Sequence, residues 1–151
     1  MRTSSHEELD RRVRQFVYQH ILYRARVPLV AEMSEGFRIS KQRIRSSLER
    51  LCASHAFMVQ ANGELWRAAP FSAIPTPFPV RVGKRSWFGN CIWDALGIPA
   101  MLGQDAVIDA ACGCCNYQMP THVKSGTLQS NSGVIHIAVP AREWYKDVVF
   151  T

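Results

Sequence analysis

A thiol and a carboxyl stand three residues apart in Trp87-Phe88-Gly89-Asn90-Cys91-Ile92-Trp93-Asp94, within a stretch that is otherwise mostly apolar. If the stretch is helical, Cys91 and Asp94 share a face. A thiolate is both a nucleophile and a ligand for soft metals. An acid in such surroundings is costly unless it is paired or protonated, and a protonated one can donate. The pair therefore reads as a soft nucleophile beside a proton carrier. The plainer alternative is a small core cysteine, with Asp94 bonded to nearby backbone, to Arg81 or to Arg85.

A second group is Cys112-Gly113-Cys114-Cys115. Cys112-x-x-Cys115 has the spacing of half a zinc site, but no second Cys-x-x-Cys exists, so structural zinc is not the expectation. His122 and His136 would complete four ligands only if the fold brings them there. Redox-active thiols, thiols that relay a soft metal and ordinary loop cysteines are the other readings. Cys52 reads as a core residue.

These groups need elements to position them. Ser86 is the expected cap of the helix carrying Cys91, Gly97 its stop and Pro99 the barrier to resumption. Strands are expected near Ala106–Ala111, Tyr117–Val123 and Val134–Val139, with turns at Lys124-Ser125-Gly126 and Asn131-Ser132-Gly133.

Upstream, Ser5-x-x-Glu8 has the form of a capping box, followed by Leu9, Val13, Phe16, Val17 and Ile21 at helical spacing. Pro28 suits the start of a short second helix through about Met33, with Gly36 in the turn that ends it. Ser40 can cap a third helix that buries Ile44, Leu48 and Leu51 and turns Lys41, Arg43, Arg45 and Arg50 largely outward. Phe57–Gln60 and Glu64–Arg67 flank Asn62-Gly63, a strong hairpin signal. The expected class is α+β. A winged-helix-like three-helix domain (1–70) leads through a Pro-rich linker and basic segment (71–85) to a mixed α/β domain with short antiparallel strands (86–151).

Composition narrows the function. The chain has 151 residues, 47% hydrophobic and 20% charged, which suits a globular protein and excludes a disordered tail or a fibrous repeat. No apolar run approaches the roughly 18 residues that span a bilayer, and the polar N-terminus lacks the apolar core of a signal peptide. Five cysteines, three of them packed together, do not form a secreted disulfide framework. A cytoplasmic protein with reduced thiols is expected. Of the net charge of +6, most lies in residues 1–70, which hold twelve Lys/Arg against seven Asp/Glu. That basic half invites a DNA-binding reading, with the third helix in the major groove.

The segment RSWFGNCIWDALGIPAMLG with the following DAVIDAAC, and the late HIAVPAREWYKDVVFT, resemble the organomercurial lyase (alkylmercury lyase) family. The helical first half is similar to that family's N-terminal domain. The resemblance implies cleavage of a carbon–mercury bond, with Cys91 the mercury-binding thiolate, Asp94 the proton handler and Cys112 a structural cysteine. It implies no organic cofactor. The substrate would be an organomercurial, and cytosolic thiols or a mercuric reductase would take the bound Hg(II) product. Thiolates are soft ligands suited to mercury, and adding them weakens the carbon–mercury bond. The leaving carbon then needs a proton, which an acid beside the sulfur supplies.

The family's second catalytic thiol would follow the strand ending at Thr151, so the fold is expected to be truncated. Three readings address this. The chain binds mercury without cleaving it; or Cys114 or Cys115 serves as the second soft ligand; or the next codon is UGA, read as selenocysteine. A TAA or TAG stop after Thr151 would exclude the last. The alternatives to a lyase are a non-catalytic mercury- or metal-binding relative and a winged-helix DNA-binding regulator.

Overall fold

The computed structural model describes residues 5–129, 133–137, 139–144 and 146. Among these described residues the fold is α+β: four α-helices and one eight-stranded antiparallel sheet. The first helix, α1 (Ser5–Arg24), buries Val13, Val17 and Ile21, the stripe expected from its periodicity. The second, α2 (Val30–Phe37), starts after Leu29, whose amide donates to the Glu32 carboxylate at 2.8 Å. Arg26 grips the same carboxylate, and these bonds hold the Glu32 acid down at about 2. Gly36 lies inside α2, because the turn that ends it is made two residues further on, at Arg38, with a φ of 55°.

Ser40 caps α3 (Lys41–Ala53) as expected, its side chain accepting from the Arg43 amide at 3.3 Å. Ile44, Leu48 and Leu51 are buried; Lys41, Arg43 and Arg50 are exposed and Arg45 is half-buried. Arg50 and Ser47 both bind Asp10, which clamps α3 to α1. Strands β1 (Phe57–Val59) and β2 (Leu65–Ala68) form the hairpin around Asn62-Gly63. Each large apolar side chain so buried contributes about 1.5–3 kcal/mol.

The sheet does not stop at the prolines. Phe71–Ser72 form β3, Pro79–Val82 form β4 and Arg85–Gly89 form β5, so residues 71–85, expected to be a linker, carry the sheet onward. Then follow α4 (Ile92–Leu102), β6 (Ala106–Ala111), β7 (Gln118–Lys124) and β8 (Thr127–Leu128). The strand order is β1-β2-β3-β5-β4-β6-β7-β8. A two-residue strand suffices for β3 because only Phe71 and Ser72 must bridge β2 to β5.

Strands β5 and β6 are both antiparallel to β4, which lies between them, so they run parallel to each other. The β5–α4–β6 segment is thus a crossover with one strand inserted, and α4 runs back across the sheet. Val80, Trp87, Ile108 and Ala110 share the buried face. The other face carries the exposed Arg81–Asp109 pair at 3.0 Å. Helices cover one side of the sheet, the layering that lets a half-apolar sheet bury its stripe.

Three expectations change here. Ser86 lies in β5 and caps nothing; Gly97 and Pro99 are both inside α4, which ends at Gly103 with a φ of 61°. Residues 134–137 form no strand, and beyond them only a short 3₁₀ turn, Ala141–Glu143, is present among the described residues. The Lys124-Ser125-Gly126 turn is found; Asn131 and Ser132 of the other lie outside the described residues.

Candidate active site

Cys91 is the residue that caps α4. Its backbone is extended (φ −143°, ψ 179°), and its sulfur accepts from the Asp94 amide at 3.5 Å. Sulfur is a weak acceptor, but a free amide at a helix start and the helix dipole both favour an anion there. The motif thus begins one residue before the helix instead of lying within it. Cys91 and Asp94 still meet in that first turn, through the bond from the Asp94 amide to the Cys91 sulfur.

Gly89 explains why α4 can start where it does. A β-carbon on Gly89 would lie 2.5 Å from the Ala95 nitrogen and 2.8 Å from its α-carbon. Only glycine lets the first turn of α4 rest on β5. Asn90 then spans the junction, its side-chain amide donating to Asp94 Oδ2 at 2.9 Å and to the Pro70 carbonyl at 3.3 Å.

Asp94 is 8% exposed, while Cys91 is half-buried. Such a buried carboxylate needs a counter-charge. Neither Arg81 nor Arg85 supplies it: Arg81 binds Asp109, and Arg85 donates to the Leu22 carbonyl. The partner is Arg67 of β2, 3.3 Å from Asp94 Oδ2 and itself largely buried. Arg67 Nε has no hydrogen-bond partner. Tyr18 of α1 stands in the same electrostatic neighbourhood and donates to the Ala69 carbonyl at 2.8 Å. Burial pushes its phenol up. Trp93, the next aromatic residue, is 61% exposed on α4.

The residues that match known proteins are these. Residues 71–151 match the model of the alkylmercury lyase family. The chain belongs to the alkylmercury lyase family. Among solved structures, it is similar to a mercury-bound form of MerB2, with a TM-score of 0.64 and 19% identity over 82% of this chain. At that identity the likeness is one of fold. This chain spans 59% of that protein's length. No curated protein matches it.

The lyase-family region contains Cys91, Asp94 and the Cys112 group, whereas Arg67 and Tyr18 come from outside it. Sequence reasoning missed both. An arginine in a hairpin strand gives no local sign of its partner, and only the sheet order brings β2 and α4 together.

Cys112 is half-buried and ends the β6 ladder, its amide donating to the Tyr117 carbonyl at 2.8 Å. Cys114 and Cys115 are exposed in the following turn. The backbone amides of Cys115 and Cys114, and then the Cys115 thiol, face the Cys112 sulfur and hold its thiol below the usual range. Cys52 is half-buried at the end of α3, and burial pushes its thiol up. Among the described residues, no three His, Cys, Asp or Glu side chains converge as a metal site, so His122 and His136 do not join the Cys112 group.

A groove of about 490 Å³ lies elsewhere, lined by Arg81, Asp105, His122 and Lys124 at the opposite end of β6 from Cys112. It is not part of the Cys91 site. Among the described residues, no helix is long and apolar enough to cross a membrane.

Proposed function

We propose that this chain cleaves carbon–mercury bonds, taking an organomercurial and releasing a hydrocarbon and Hg(II). One observation carries the reading: a half-buried thiol and a buried, ion-paired carboxylate share the first turn of α4, within the region matching the alkylmercury lyase family. The mercury-bound state of the similar MerB2 structure agrees with it.

In this reading the Cys91 thiol loses its proton as its sulfur bonds to the mercury of R–Hg–X, displacing X. A second thiolate, for which Cys114 and Cys115 are the candidates, adds to the same metal. Two soft donors push electron density onto mercury and weaken its bond to carbon. Asp94 accepts a thiol proton and passes it to the departing carbon. The electron pair of the carbon–mercury bond becomes that of the new carbon–hydrogen bond, and mercury remains mercuric. Arg67 and Asn90 hold the carboxylate toward Cys91 throughout. No organic cofactor takes part, and cytoplasmic small thiols or a mercuric reductase would accept the product.

The first half, read as a winged-helix-like module, supplies Arg67 to this site, which gives its hairpin a role other than DNA contact. The test is to incubate the purified chain with an arylmercury and measure released arene and Hg(II). The wild-type chain is expected to release both. Cys91→Ser and Asp94→Ala are each expected to abolish arene release. Mercury retained by the wild-type chain without arene would overturn the reading in favour of a non-catalytic binder.

A further inference from the structure

Two acids in this chain hold the same place in their helices and are used differently. Glu32 stands third in α2 and folds back onto the amide of Leu29, the residue before the helix, at 2.8 Å. An acid in the first turn suits that task, because the amides there lack partners. Asp94 stands third in α4, after Cys91. Its carboxylate turns instead to side chains from outside the helix, the Asn90 amide at 2.9 Å and the Arg67 guanidinium at 3.3 Å. Both meet the same oxygen, Oδ2, and among the described residues nothing donates to Oδ1.

The two partners contribute different things. A charge-assisted bond from nitrogen to a carboxylate runs about 2.7–2.9 Å, so at 3.3 Å Arg67 supplies charge more than direction. Asn90 supplies the direction. Its amide nitrogen has two protons, and the second goes to the Pro70 carbonyl at 3.3 Å. Pro70 lies between the end of β2 at Ala68 and the start of β3 at Phe71. The backbone that delivers Asn90 is pinned as well. The Gly89 amide donates to the Phe78 carbonyl at 3.0 Å, and the Thr76 hydroxyl donates to the Gly89 carbonyl. Asn90 is half-buried, and its amide is held between a fixed strand end and a fixed turn.

We propose that Asn90 is a positioning residue for the reaction: its amide ties Asp94 Oδ2 to the Pro70 carbonyl and leaves Oδ1 as the oxygen that carries the proton. The inference rests on the proposed lyase function. Without the bridge, the carboxylate can turn about its side-chain bonds, exchange its oxygens and fold back onto its own helix as Glu32 does. With it, Oδ1 takes a thiol proton and gives it to the leaving carbon. The electron pair that joined carbon to mercury becomes the carbon–hydrogen bond, and Asn90 neither gains nor loses a proton.

The bridge is read first without turnover. In nitrogen–proton correlation spectra of the wild-type chain, both Asn90 side-chain amide protons should exchange slowly with water, and Asp94→Ala should release only one of them. Free exchange of both, or no response to Asp94→Ala, would overturn the bridge. Kinetics with an arylmercury, expressed per folded chain, test its use. Asn90→Leu is close to asparagine in size but has no donor. It should lower kcat for arene release about tenfold to a hundredfold and leave KM near the wild-type value. Asn90→Gln changes the length but keeps the amide, and should recover part of kcat. Wild-type kcat in Asn90→Leu, a KM that rises with the fall in kcat, or Asn90→Gln no better than Asn90→Leu would each overturn the positioning role. No arene from the wild-type chain would end the lyase reading, and with it the proton role of Oδ1, while the amide signals still decide the bridge.

Discussion

Asp94 meets its cation from the other half of the chain. The carboxylate is nearly closed off, and Arg67 spends its guanidinium on it while leaving Nε without a partner. An unpaired buried N–H costs about 1–3 kcal/mol, so this arginine is not placed for its own hydrogen bonding. Its fixed fork aims a charge at the carboxylate of Asp94, the residue whose backbone amide bonds the Cys91 sulfur. Replacing Arg67 with Gln should destabilise the chain by up to about 3 kcal/mol, since removing one partner strands the other charge. In the folded variant, kcat for arene release should fall while KM for the arylmercury, set by Cys91, stays near the wild-type value. Arg67→Lys should restore part of kcat. Urea denaturation and steady-state assays check these outcomes, and parallel changes in KM would assign Arg67 to substrate binding instead. The sequence made Cys91 and Asp94 legible because they are close along the chain. In the plainer alternative it offered nearby backbone, Arg81 or Arg85 as partners of Asp94, whereas the cation that reaches it is Arg67.

Elements differ in how far their pattern reveals them. Helices α1 and α3 bury the residues their period marks, and Ser40 caps as its type suggests. The stretch Arg85–Gly89 was harder to read because Trp87 and Phe88 suit a helix as well as a strand, and burial of Trp87 and Gly89 on one side is seen only in the sheet. Gly97 resembles a stop yet sits inside α4, where a β-carbon would meet Pro70 at 3.5 Å. The decisive glycine is Gly89, whose significance comes from the helix lying on it. Gly89→Ala must push the first turn of α4 off β5, because the clash is with backbone atoms. Overpacking of this kind costs about 1–3 kcal/mol. The Cys91 sulfur and Asp94 carboxylate move with that turn, so arene release should fall more than the loss of folded protein explains. Denaturation midpoints together with activity per folded chain measure the difference. Gly83→Ala, where a β-carbon meets nothing but φ is 57°, is the control for backbone strain without the clash.

At the scale of the whole molecule, the sheet joins what composition divides. The prolines and the shift in charge between residues 1–70 and the rest suggest two units with a tether, and no residue pattern reveals that Phe71 pairs with both Ala68 and Gly89. Side chains repeat the connection: Trp87 Nε1 donates to the Ile21 carbonyl at 3.0 Å, Tyr18 reaches Ala69, and Arg85 reaches Leu22. Helix α1 is therefore fixed to β5 and to the approach of β3, and neither half can open without exposing the buried stripe of the other. Unfolding should be a single transition, with tryptophan fluorescence and far-UV circular dichroism coinciding. Trp87→Phe keeps most of the apolar burial and removes one hydrogen bond; the Ile21 carbonyl keeps the Ala25 amide at 2.9 Å, so the cost should be only about 1 kcal/mol. Both probes should then shift together to a lower urea midpoint with an unchanged slope. Separate transitions in the wild-type chain would mean that the first half folds alone, and Arg67 would then reach Asp94 only when two independent units dock.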